Sequence, residues 1–230
     1  MADRPLLLAI DTASDAAGAA LMDGDSLLAE STWHAHQSHS VQLLPAVDWL
    51  LSHVRRTKAE IGAVAVCLGP GSYAGMRVGI STAKALAFGL DARIVGIGRL
   101  AAEALPVAEA SGARVVPVQA AGRAELAWAF YQHSEGELVE LSPPRLGSST
   151  ELLGALRKGD VVTGDVDRLD PATVGALTKR GCRLVPASSA RVVAVARLGL
   201  CRLARGEADD ADTLVPLYLR APAIGPQPPR

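Results

Sequence analysis

The chain has 230 residues, 49% of them hydrophobic, which is enough to bury a proper core as one domain or two compact lobes and excludes a largely disordered chain. A formal net charge of −1 excludes a general electrostatic attraction to nucleic acid or acidic lipid, so any RNA contact has to be local or supplied by a partner. Three scattered cysteines in apolar sequence, Cys67, Cys182 and Cys201, exclude a disulfide framework and read as reduced core residues of a cytoplasmic protein.

The N-terminus carries no cationic segment followed by an apolar one, and no uninterrupted apolar run is long enough to span a bilayer, so a soluble location is expected. Residues 6–10 form an apolar strand ending on Asp11 and Thr12; a second strand covers 17–22, and Asp23-Gly24 turns it into a third at 26–31. A strand, a polar turn and antiparallel neighbours resemble the first phosphate loop of the actin-like ATPase fold. Alternatively, Asp11 and Thr12 simply finish a strand and satisfy loop amides. His34, His36 and His39 make an H-x-H-x-x-H cluster, yet nothing nearby completes a metal site and the spacing is not that of a helical zinc pair, so no metal is expected. Leu43, Leu44, Val47, Leu50, Leu51 and Val54 then recur with helical period; Pro45 requires that the helix begin near Val41 or kink. Trp49, on another arc, hints at a second contact surface.

The stretch 64–90, VAVCLGPGSYAGMRVGISTAKALAFGL, concentrates the unusual features. A strand at 64–68 is broken by Gly69, Pro70 and Gly71; Ser72 caps a helix expected to reach Phe88, with Gly89 closing it as a left-handed cap. Gly75, Gly79, Ala83 and Ala87 repeat every four residues, and an interior glycine costs about 1 kcal/mol of helix propensity, so something must press closely against this stripe. Either an anion sits on the helix N-terminus or another helix packs backbone-close. Neither a Walker A loop, nor the dinucleotide G-x-G-x-x-G, nor the nucleophile elbow fits the glycine spacing.

Further strands are expected at 93–97, 115–118, 125–132, 137–141, 161–164 and 183–185, with turns at Gly122 and Gly136. Helices are expected at 100–110, interrupted by Pro106, and at 151–157, 172–179 and 190–205, the last apolar around most of its circumference and so placed inside the protein or between lobes. The proline-rich tail 221–230 is expected to be disordered, and no internal repeat stands out from spacing.

AIDTA at 9–13, HS and LLP within 39–45, LGPGSYAGMRVGI at 68–80, AKALAFGL at 83–90 and PLYLR at 216–220 together resemble the bacterial TsaB (YeaZ) family of tRNA threonylcarbamoyladenosine biosynthesis. The long glycine motif is the specific part. The chain departs from the family pattern at Gln119, Ala120, Ala121 and Glu125, where a D-A-R loop is usual, and its GDG-like turn reads Gly164, Asp165, Val166.

The resemblance implies a two-lobed, actin-like α/β fold, with residues 1–100 and about 207–220 in the first lobe and 101–206 in the second. It implies a noncatalytic partner of a TsaD-type threonylcarbamoyltransferase, acting with a TsaE-type ATPase on the adenosine beside the anticodon of ANN-decoding tRNAs, with tRNA contacted only indirectly. The alternative is an enzyme in its own right, an M22-type glycoprotease or an ATP-dependent actin-like enzyme, although no catalytic residue can be named. The family pairs two helices with those of a partner, which implies an interface at His39, Leu43, Leu44, Val47, Leu50, Leu51, Gly75, Met76, Gly79, Ile80, Ala83 and Ala87, open to the transferase or to a second copy in a homodimer. Asp11, Thr12, Gly69, Gly71 and Ser72 stand where actin-like folds hold phosphates, and the expected affinity for ATP or ADP is weak or absent outside a shared site in the complex.

Overall fold

A computed structural model describes residues 6–36, 38–122, 125–188 and 191–220; the expected disordered tail lies outside them. The expected strands all form, the one at 161–164 with the expected bounds and the others longer. β1 (Leu6–Asp11), β2 (Ala16–Asp23), β3 (Ser26–His34), β4 (Ile61–Gly69) and β5 (Arg93–Gly98) make one sheet, in the order β3-β2-β1-β4-β5. β6 (Val115–Ala120), β7 (Glu125–Ser134), β8 (Glu137–Ser148), β9 (Val161–Gly164) and β10 (Arg183–Pro186) make the other, in the order β10-β9-β6-β7-β8. Each sheet is an antiparallel meander of three strands extended by two parallel strands, so the chain repeats one topology that sequence spacing does not reveal.

Helices cover both faces of each sheet. α1 (His39–His53) and α2 (Tyr73–Leu90) touch each other and lie on the first sheet, α1 over β2 and β3 and α2 over β4, β1 and β5. α3 (Arg99–Ser111) follows the first sheet in sequence yet packs on the second, where Leu100, Ala104 and Ala108 meet Val115, Ala129 and Val161. α4 (Ser149–Ala155) and α5 (Pro171–Lys179) cover that sheet's other face around Trp128. α6 (Arg191–Ala204), counted with the second lobe from the sequence, crosses back onto the first sheet; Gly199 lets it approach so closely that a Cβ there would stand 2.7 Å from Ala65. The alternation of β1 separates the two faces, Ile10 toward Gly79 of α2 and Leu7 toward Gly199 of α6. α3 and α6 pack against each other between the sheets.

Several boundaries differ from the expectation for local reasons. α1 starts at His39 and runs through Pro45, whose ring lies on the exposed face, where the unpaired Val41 carbonyl can be hydrated. α2 continues past Gly89 to Leu90 and is closed by Asp91 at φ 50°, a short polar side chain that tolerates the left-handed region. α3 is not interrupted at Pro106. β8 extends through Pro143 and Pro144 because it is an edge strand, where a missing N–H breaks no ladder on the open side. Glu135 and Gly136, both at positive φ, make the two-residue turn between β7 and β8. Cys201 is exposed rather than a core residue, whereas Cys67 and Cys182 are buried.

Candidate functional site

The two lobes face each other across a cavity of about 1260 Å³ at the carboxyl ends of the parallel strands. Its first-lobe wall is the β1–β2 turn and the β4–α2 loop; its second-lobe wall includes Gln119, Ala120, Asp165 and Arg168. The segment after α6 runs along the edge of β5, where the Asp209 amide donates to the Ile94 carbonyl at 2.8 Å, and then crosses the cleft mouth. Tyr218 stacks on Tyr73 at 5.4 Å, and Arg220 pairs with Glu125 of the second lobe.

The five residues expected at the phosphate loops do come together, but each is engaged by its own neighbours in the two loops. The Ser72 amide donates to the Ala13 carbonyl at 2.7 Å, the Thr12 hydroxyl to the Gly75 carbonyl at 2.7 Å, and the Ala13 amide to Asp11 at 3.0 Å. The Ser72 hydroxyl takes the Gly75 amide at 3.2 Å, as an N-cap should. A Cβ on Gly71 would stand 1.9 Å from the Ala13 carbonyl oxygen, one on Gly75 2.1 Å from that of Thr12, and one on Gly79 2.3 Å from the Thr12 hydroxyl. Small residues are therefore required here by the end of β1, and the amides of Ala13, Ser72 and Gly75 are already engaged. Gly69, at φ 94°, packs on Met76.

The same packing takes up most of the residues expected at the interface. Gly75, Met76, Gly79, Ile80, Ala83 and Ala87 are buried on the chain's own sheet, and so are His39, Leu43, Val47, Leu50 and Leu51. Leu44 alone of that set stands on the outside. The outer faces of α1 and α2 instead expose Val41, Trp49, Tyr73 and Phe88, the last at 90%. Trp49 rests on His53, with ring centroids 5.1 Å apart.

Beneath the loops lies a chain of buried charges that sequence reasoning missed. Arg191, the first residue of α6, donates to Asp11 at 2.6 Å and to Glu103 at 3.3 Å, and also reaches the Ser14 hydroxyl and the Ala16 carbonyl. Arg99, the first residue of α3, donates to the same Glu103 oxygen at 2.7 Å and to Asp165 at 3.1 Å. Asp165 also accepts the Ala120 amide. Burial pushes the Asp11 carboxyl toward protonation, but the Arg191 charge and hydrogen bond, the Ala13 amide and Arg99 outweigh it and hold its pKa below the ordinary value. Burial likewise opposes the charge on Arg191, and the Asp11 and Glu103 carboxylates override it, so the guanidinium stays ionised. The carboxylate that an actin-like site would turn toward a ligand is thus neutralised from within.

One signal for this network was available. Each arginine opens a helix at the positive end of its dipole, an unfavourable place for a cation unless a carboxylate waits there.

The remaining expectations fall out simply. His39 turns inward beside Gly75; burial lowers its pKa, against the pull of Asp15 and Asp11, and its Nδ1 has no partner among the described residues. The His34 and His36 rings lie 6.1 Å apart, and no three His, Cys, Asp or Glu side chains gather as metal ligands among the described residues. In the altered loop, the Ala121 amide donates to the Glu125 carbonyl at 2.9 Å, and the Gln119 side-chain oxygen is buried without a partner among the described residues.

Residues 33–169 match the family described as tRNA N6-adenosine threonylcarbamoyltransferase, TsaD. The tRNA threonylcarbamoyladenosine biosynthesis protein TsaB of Bacillus subtilis (strain 168) is 32% identical over 154 residues, 67% of either chain. Its namesake in Escherichia coli (strain K12) is 34% identical over 135 residues, so this chain spans 56% of that relative's length. YeaZ from Pseudomonas aeruginosa superposes with a TM-score of 0.79 at 24% identity, covering 94% of this chain and all of that one, and the paired sheets are those of the actin-like ATPase fold. At 32% identity over two-thirds of the B. subtilis protein, the chain belongs to the TsaB (YeaZ) family of tRNA threonylcarbamoyladenosine biosynthesis proteins.

Proposed function

We propose that this chain is a noncatalytic subunit that binds and activates a TsaD-type threonylcarbamoyltransferase, in forming threonylcarbamoyladenosine next to the anticodon of ANN-decoding tRNAs. The observation that carries the reading is the neutralised centre of the cleft: Asp11 is 1% exposed and held by Arg191, and the neighbouring loop amides are spent on the chain's own carbonyl, carboxylate and hydroxyl oxygens. Catalysis needs a group free to change partners as charge develops, and these groups have fixed partners. Contact then falls to the outer faces of α1 and α2, where Val41, Leu44, Tyr73 and Phe88 remain in water. Large apolar side chains left exposed on adjacent helices are the usual mark of a protein interface. In the assembly, a TsaE-type ATPase joins the pair, and nucleotide is held at a shared site if at all.

The test is association. Purified chain and a TsaD-type transferase should co-elute by size exclusion and restore threonylcarbamoyl transfer to tRNA, while the chain alone turns over neither ATP nor peptide. Phe88→Asp or Leu44→Asp should weaken pairing about thirtyfold or more, the cost of roughly 2 kcal/mol for placing a charge at an interface anchor. Pairing that survives both substitutions at wild-type strength places the contact elsewhere. Transfer activity that does not need the chain ends the proposal.

A further inference from the structure

The same end of each lobe, remote from the cleft, differs in how its charges are matched. In the first lobe two of the three cations in the loop after α1 have partners, Arg56 with Asp23 and Glu60 and Lys58 with Asp48, while Arg55 is exposed without an ion pair among the described residues. The equivalent end of the second lobe, where α4 leads into β9 and α5 into β10, presents Arg157, Lys158, Lys179, Arg180 and Arg183, all exposed.

These loops are tied together, so the cations share one surface. The Gly159 amide donates to the Gly181 carbonyl at 3.1 Å, the Arg183 amide to the Asp160 carbonyl at 2.9 Å, and the Lys158 stem lies against Gly181. Arg180 is occupied in capping the carbonyls of Leu153 and Leu156. Asp160, the acid nearest in the chain, is buried; it takes Arg114 at 2.6 Å and the Arg157 amide at 2.7 Å. The acids of both helices lie at the opposite end, Glu151 in the first turn of α4 and Asp170 as N-cap of α5. Among the described residues, Arg157, Lys158, Lys179 and Arg183 form no ion pair.

We infer that this end of the second lobe is a docking surface for the phosphate backbone of RNA, engaged by Arg157, Lys158, Lys179 and Arg183. Neutral ligands gain nothing from four uncompensated cations, whereas a polyanion releases counterions at each one. RNA is the polyanion chosen here because the inference rests on the proposed role in tRNA modification. The contact follows backbone shape and charge, not base identity, because the side chains are flexible and solvated. A chain with net charge −1 can therefore bind RNA through one patch while the rest of its surface repels it.

The experiment measures binding of an unmodified tRNA transcript to the full chain by fluorescence anisotropy across a salt series, with R157Q/K158Q/K179Q/R183Q and the first-lobe control R55Q/K58Q. The fourfold variant should bind at least tenfold more weakly, and the slope of log affinity against log salt should shrink by about 3, roughly 0.7 to 0.9 for each phosphate that no longer meets a cation. The control should keep the wild-type slope. An unchanged slope in the fourfold variant, no tRNA binding by the wild type, or binding confined to phosphatidylserine vesicles would overturn the inference. Co-elution with the TsaD-type transferase is run on the same variants. Failed pairing by the wild type, with a slope that still shrinks in the fourfold variant, counts against the proposed function alone, and intact pairing with an unchanged slope counts against the patch alone.

Discussion

Replacing Arg191 by methionine removes the cation at the centre of the molecule while keeping a side chain of similar reach. Asp11 and Glu103, both almost fully buried, would then face the cleft floor without the guanidinium that donates to each at 2.6 and 3.3 Å. Removing one partner of a buried pair costs about 3 to 5 kcal/mol, because the remaining charge stays desolvated. That is a large share of a typical total stability of roughly 5 to 15 kcal/mol. At about 2 to 4 °C per kcal/mol for a chain this size, the melting temperature should fall by roughly 6 to 20 °C near neutral pH. The pH dependence fixes the cause. In the wild type the folded Asp11 pKa is depressed, so its contribution is present above the unfolded value and is lost as pH falls through the folded one. In Arg191→Met the Ala13 amide and Arg99 alone oppose burial, so that pKa rises relative to wild type, and acidification toward the carboxylate range protonates Asp11 and narrows the gap. Melts by circular dichroism between neutral pH and about pH 5, with D11N/R191M as the neutral counterpart, test this. A drop of under a degree or two, or a gap independent of pH, would refute the claim that Arg191 neutralises Asp11.

Gly79→Leu should lower the melting temperature by an amount corresponding to roughly 1 to 3 kcal/mol, since its Cβ meets Thr12 of the same chain, while the surviving folded molecules pair normally in sedimentation velocity. Impaired pairing at unchanged stability would return the small-residue stripe to a partner. Gly71→Ala should be worse than Gly79→Ala, because its Cβ meets the Ala13 carbonyl rather than a side chain that can turn; equal melting temperatures would contradict this. Trp128→Ala, in the core between the second sheet and α4 and α5, should cost about 3 to 5 kcal/mol in denaturant midpoint experiments while leaving association through α1 and α2 intact. Calorimetry on the lone chain should detect no tight ATP binding; a micromolar dissociation constant that disappears on Asp11→Ala would overturn the reading of the cleft.

Most strands were legible as short apolar runs bounded by glycine, aspartate or proline, β4 and β6 rich in β-branched residues and β2 without any, and the helix starts were legible from Ser72 and the leucine period. What presses on a helix was not. Gly75, Gly79, Ala83 and Ala87 announce a close approach, and the same pattern serves a partner helix or, as here, the end of β1. Asp11 was legible as a residue at a strand end, but its partner lies 180 positions away in a helix that crosses between lobes. No local period encodes such a contact, and only the misplaced charge at the start of α3 and of α6 hints at it. Strand ends ran long where the missing hydrogen bond cost nothing, as at Pro143 and Pro144 on the sheet edge.

The repeat explains why the charges meet. In each lobe the central parallel strand ends in a glycine at nearly the same left-handed angle, Gly69 at φ 94° and Gly164 at φ 97°. The helix that leaves each lobe packs on the sheet of the other, so the first residues of α3 and α6, Arg99 and Arg191, arrive together at the centre. There Glu103 takes both, Asp165 anchors one to the second lobe and Asp11 the other to the first. Opening the cleft would have to pull Arg191, held to Asp11 on the first sheet, from Glu103, held to Arg99 on the second, in a region of low dielectric, where such separations are costly. The centre therefore acts as a strut between the lobes rather than a hinge. A strut suits a subunit that acts by position. It holds the exposed helices α1 and α2 at a fixed distance from the basic end of the second lobe, so a transferase paired at the first surface and an RNA backbone lying on the second would be set in one geometry without any motion of this chain.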